Sequence, residues 1–177
     1  GFPMARKPVL VGLVVLLGVS LAGATTLVKM DFGQLSKDAE QIVVGTVVGV
    51  EGEWDPSLRF IRSNVTLAVE HSLRGAAPEQ LVVRTPGGWV GGTGQKAHGA
   101  ATFEVGERVL VFLTSWEDGT AKVLGYAQGK SGVVRDARGV DRLVGGSGNG
   151  LSLEGAVREI EEGPKANIAL RPANGGE

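Results

Sequence analysis

The chain has 177 residues, with 18 lysines and arginines against 19 aspartates and glutamates and a formal net charge of -1. It carries no cysteine, two histidines, seven prolines and 29 glycines. These figures exclude disulfides, thiolate catalysis and cysteine-ligated metal sites. There is no basic run interleaved with aromatics to hold a nucleic acid, and no fixed glycine period of the collagen kind.

The N-terminal segment carries the clearest address. Arg6 and Lys7 precede an uncharged apolar run over residues 9–22, and Ala22-Gly23-Ala24 then supplies small residues at a peptidase site. This is the layout of a secretory signal peptide, so residues 1–24 are expected to be removed after Ala24. Gly1-Phe2-Pro3 precede Met4 and read as a remnant or an upstream start. A membrane anchor usually needs ~20 apolar residues. The run here is shorter, and Thr25 and Thr26 follow at once. A bacterial lipid anchor would need a cysteine at the cut. The expected location is therefore secreted, periplasmic or cell-envelope. Membrane contact is expected only if the segment is retained, which would make the chain a subunit of a larger exported assembly. About 150 residues remain, enough for one domain with its own core.

Residues 31–40 read as a short helix or turn. Residues 41–51 (QIVVGTVVGVE) form the first expected strand, with Gly45 and Gly49 as points of bending. Residues 53–56 signal a turn. Residues 60–70 alternate cleanly, with Ile61, Val65, Leu67 and Val69 on one face. Residues 80–85 form a third strand, with Leu81 and Val83 inward. Residues 86–101 (PGGWVGGTGQKAHGAA) lack periodicity and read as a long mobile loop. The VLVFL run at 109–113 is apolar on both faces, so it is expected to be central. Trp116-Glu117-Asp118-Gly119 signals a hairpin into a fifth strand over 121–126. A short Val133-Val134 strand follows. Residues 138–150 read as a linker around one weak strand at 142–144. Residues 152–162 form an amphipathic helix with Ser152 as N-cap and Gly163-Pro164 as terminator.

The expected fold is mainly β: a five-stranded antiparallel OB-like barrel over 27–150, with a short N-terminal helix. A C-terminal amphipathic helix over 151–163 and a loose tail over 164–177 complete the chain. A two-sheet sandwich is the alternative. The segments AEQIVVGTVVGVEGEW, RFIRSNVTLAVEHSLRG, LVVRTPGG, FEVGERVLVFL and GYAQGKSGVV, in this order, resemble a set of exported bacterial proteins of uncharacterised function. The resemblance covers residues 35–134. It implies an OB barrel similar to netrin-like and tissue-inhibitor-of-metalloproteinase domains. Those inhibitors hold the protease zinc through an N-terminal cysteine, so their mechanism does not carry over to this chain.

His71 and His98 are the candidate bases, with Ser115, Ser131 and Thr102 as possible hydroxyl partners. A triad or dyad needs an oriented base beside a nucleophile, and neither G-x-S-x-G nor H-E-x-x-H is present. A hydrolase is the minority reading, and no enzyme activity is expected. His98 lacks neighbouring carboxylates, so neither a metal nor a cofactor is expected. Gly125 to Gly132 contains G-K-S without phosphate-loop spacing. Asn64-Val65-Thr66 matches a glycosylation pattern in mid-strand. Trp54 and Trp116 are expected to pack at barrel ends, and Asp55, Glu117 and Asp118 to be solvated turn acids. Gly87, Gly88, Trp89 and His98 are the candidate partner-binding residues, because an aromatic on a loop of a rigid scaffold makes a good anchor. The alternative for Trp89 is a cap on one end of the barrel. The expected role is a non-enzymatic binding or structural module for an unknown protein or extended polymer. A protease-inhibitor-like module presenting the loop is the other reading.

Overall fold

The computed structural model of the chain describes Gly1 and residues 27–163. The expected signal peptide and the tail at 164–177 lie outside the described residues. The elements in order are α1 (Phe32–Asp38), β1 (Gln41–Trp54), β2 (Ile61–Arg74), β3 (Gln80–Pro86), β4 (Gly88–Val90) and β5 (Thr93–Gln95). There follow β6 (Arg108–Ser115), β7 (Ala121–Val123), a 3-10 turn (Tyr126–Gly129), β8 (Lys130–Arg135), β9 (Asp141–Val144) and α2 (Leu153–Glu162).

The protein is mainly β, and its main sheet closes on itself. The strand order is β1-β2-β3-β7-β6-β8-β9, and β1 also pairs with β6. That extra pairing makes a ring of β1, β2, β3, β7 and β6. The expected five-stranded barrel is corrected to a seven-stranded main sheet, because β8 and β9 extend it. Nor is the ring wholly antiparallel: β3 and β7 pair in parallel, at Val83 and Ala121. The expected fifth strand over 121–126 stops at Val123. Gly125 and Tyr126 take φ of 70° and 57°, a left-handed pair that no strand continues. The weak strand expected at 142–144 within residues 138–150 is β9, one residue longer, and it pairs with β8 from Gly132↔Val144 to Arg135↔Asp141.

β6 is the central strand, as its two apolar faces require. One edge pairs with β1 over residues 108–113. The other edge takes β8 at residues 109–111 and β7 at residues 113–115. Side chains of β1 and β6 alternate between two cores. Val43, Val47, Val109, Val111 and Leu113 point into the ring with Val65, Leu67, Val83 and Phe103. Ile42, Val44, Leu110 and Phe112 point outward into a second cluster, covered by Phe32 and Leu35 of α1 and by Ala156 and Ile160 of α2. The stripe of α2 thus packs on its own sheet. Asp31 and Ser152 cap the two helices by accepting from the Gln34 and Gly155 amides at 2.8 and 3.0 Å.

The glycines of β1 act as expected. Its register shifts three times, once between Val44 and Gly45 and once between Val47 and Gly49. A Cβ at Gly45 would sit 2.6 Å from the Ala68 carbonyl oxygen. Coiling brings the two backbones too close there for any side chain. Among the described residues no helix is long and apolar enough to cross a membrane.

Candidate functional site

The expected structureless loop at 86–101 contains a β-hairpin. Pro86 has no N–H and ends β3. Gly87 and Gly88, with φ of 89° and 138°, then turn the chain off the barrel. The pairs Gly88↔Gln95, Trp89↔Gly94 and Val90↔Thr93 leave Gly91-Gly92 as a two-residue turn, with Gly91 at φ 57°. Three hydrogen bonds fasten the base to β2. The Gly87 amide donates to the Ile61 carbonyl at 2.8 Å, the Ser63 hydroxyl to the Gly87 carbonyl at 2.7 Å, and the Ile61 amide to Gln95 Oε1 at 2.5 Å.

Trp89 does not cap the barrel. It is 72 % exposed, and its indole lies over its cross-strand partner Gly94. A Cβ at Gly94 would stand 2.8 Å from the ring. On the other side, the Trp89 main chain presses against Gly52 of β1, where a Cβ would collide with the Trp89 carbonyl oxygen. Between the hairpin, the end of β1 and the segment leading to β6 lies a cleft of about 670 Å³. Gly87, Gly88 and Trp89 line it, with Val50, Val65 and Phe103 from the inner face of the barrel. His98 is exposed and is not among the residues lining the cleft.

The chemistry-bearing residues do not converge. His71 is exposed on β2 opposite Val44. The Ser115 hydroxyl donates to Glu40 at 2.7 Å, and the buried Ser131 hydroxyl donates to the Gly145 carbonyl at 2.8 Å. The Thr102 carbonyl accepts from Lys130 Nζ at 2.6 Å. Among the described residues no group of three histidines or carboxylates is placed to hold a metal.

Asp55, expected to be solvated, is only 5 % exposed. Its carboxylate accepts from the amides of Ser57, Arg59 and Phe60 at 2.9, 2.9 and 3.0 Å, and from the Ser57 hydroxyl. Burial works against the charge. The Ser57 hydroxyl and the Phe60, Ser57 and Arg59 amides outweigh it together and bring the carboxyl down to about 2. This clamp shapes the loop between β1 and β2, which presents Leu58 at 72 % exposure. The Asp55 carboxyl is held below its ordinary value, so its stabilisation is complete above about pH 4 and fades as pH falls towards 2. The Asp55→Asn variant is expected to melt about 5 °C or more below wild type at pH 7, with the gap closing near pH 2, in paired thermal melts. A gap that does not change with pH would remove the carboxylate from this role.

Asp118 is also paired rather than free. Arg84 Nη1 donates to it at 2.5 Å and holds its carboxyl far below the usual range, helped by the amide and hydroxyl of Thr120. Arg84 Nε also reaches Asn64 Oδ1 at 3.3 Å, and the Arg84 carbonyl accepts from Trp116 Nε1 at 3.1 Å. Lys122 lies over the Trp116 ring at 4.5 Å. Trp116 is therefore half-buried between strands β3 and β7. Trp54 is half-buried at the end of β1.

The sequence reading missed Val50 and Phe103 as cleft walls. The period of two along β1 groups Val50 with Ile42 and Val44, but a register shift between Val47 and Gly49 turns it to the inner face opposite Val65. No family model matches the chain, and no curated protein matches it at a significant level.

Proposed function

We propose that this chain is an exported, non-enzymatic binding module of the cell envelope or extracellular space, built on an OB-like barrel. Its ligand surface is the β4–β5 hairpin with the cleft beneath it. The exposure of Trp89 carries the reading. A large aromatic is laid flat on Gly94 and left 72 % open to water, on a hairpin hydrogen-bonded to the barrel. Hot spots of recognition are enriched in such tryptophans. The ring order β1-β2-β3-β7-β6, with its single parallel pairing, supports the OB-like assignment by analogy of fold, which by itself fixes no activity.

The test has two parts. N-terminal sequencing of the chain recovered from medium and envelope is expected to begin at Thr25; a start near Met4 overturns the secreted module. Sedimentation with insoluble cell-wall polymer is expected to weaken about tenfold or more in Trp89→Ala and to be unchanged in Trp54→Phe. Equal loss in both variants, or in neither, removes the hairpin as the ligand surface.

A further inference from the structure

We infer that the cleft beneath Trp89 takes an uncharged aliphatic group with an oxygen-bearing end, of the kind a fatty alcohol or ester presents. The inference rests on the reading of the hairpin as a ligand surface and adds the chemistry of the ligand.

The walls decide the class. Val50 faces inward yet is 38 % exposed, so the ring is left unfilled at this end and apolar surface meets solvent. Val65 and Phe103 continue that surface. The buried polar side chains of the wall are already engaged. Ser63 donates to the Gly87 carbonyl at 2.7 Å, and Thr85 donates to the Ala101 carbonyl at 3.1 Å. Gln95 Oε1 accepts from the Ile61 amide. Among the described residues no buried side-chain nitrogen or oxygen lacks a partner. A charged group entering the cleft would lose its water and find no counter-charge, at a large cost.

The rim does not rescue a charge. Lys96 and Glu104 both line the opening, both are exposed, and their signs cancel. Gln95 keeps its Nε2 amide outside any hydrogen bond among the described residues. That amide suits a hydroxyl or carbonyl oxygen. The volume, about 670 Å³, falls within the range of small-ligand sites. Each methylene buried against Val50, Val65 and Phe103 adds about fourfold in affinity.

The experiment uses the full chain and the neutral fluorophore N-phenylnaphthylamine, displaced by straight-chain competitors. Decanol is expected to displace the probe at least about tenfold better than either decanoate or decylamine, and hexanol to be weaker than decanol by about fourfold per methylene. Val50→Asp is expected to lower probe affinity about tenfold or more, with its far-ultraviolet circular dichroism unchanged. If decanoate or decylamine competes as well as decanol, the neutral class is wrong and a rim charge selects the ligand. If the probe does not bind wild type while cell-wall polymer still requires Trp89, the ligand class is overturned and the hairpin surface stands. If neither binds, both readings fall.

Discussion

Phe112→Ala is expected to destabilise the protein by about 3–5 kcal/mol and to lower its melting temperature by about 10 °C or more. Phe112 is 1 % exposed and lies on the outer face of β6, the strand that holds β1, β7 and β8 together. Its ring meets Phe32 of α1 edge-on, with centroids 5.3 Å apart and planes at 90°. Truncation leaves a cavity between the sheet and its covering helices, which cannot collapse far because the sheet fixes one wall. The loss should appear in denaturant melts as a lower midpoint with an unchanged slope. A cost under about 1 kcal/mol would mean that α1 follows the missing ring inward, and that the second core is looser than its burial implies.

The second large effect falls on a residue with no side chain. Gly52→Val is expected to cost about 1–3 kcal/mol, because a Cβ there meets the Trp89 carbonyl and neighbouring main-chain atoms. Backbone gives way less easily than the end of a flexible side chain, so the hairpin must lift. Trypsin cleavage after the exposed Lys96 is expected to accelerate in the variant. Gly49→Ala is the control: its new Cβ would meet only Thr66, at 3.8 Å, an ordinary contact. Equal stability of the two variants would show that the hairpin does not rest on β1 at Gly52.

Much of the barrel could be read from alternation. β2 and β3 bury every second residue over most of their length, and the VLVFL run shows a strand covered on both sides. α2 carried its cap, stripe and terminator in order. What escaped had weaker local signals. Residues 71–74 extend β2 although the alternation has ended, because β1 pairs with them as far as Ile42↔Arg74. The strand signal at 142–144 named no partner, and only the structure shows β9 laid against β8. In the hairpin at 88–95, glycines obscure the period of two, yet Gly91-Gly92 between Val90 and Thr93 is a two-residue turn signal that length alone argued against. Asp55 reads as a solvated turn acid, yet Asp-Pro-Ser is a sequence in which the carboxylate can fold back onto following amides. The cleft was hidden for another reason. It needs Val50 turned inward, and that depends on a register shift with no residue-level mark beyond Gly49 itself.

The closure of β1 on β6 also orders events in time. Gln41 pairs with Leu113, and the edge of β3 away from β2 meets β7, so the N-terminal half of the sheet has no partner on either outer edge until residues 108–123 are available. Pairings this distant in sequence form slowly. A chain emerging N-terminus first therefore cannot complete its ring, and the outer edges of β1 and β3 stay unpaired until it does. Until the ring closes, those open edges leave this chain more exposed to mispairing than a helical domain of its length would be.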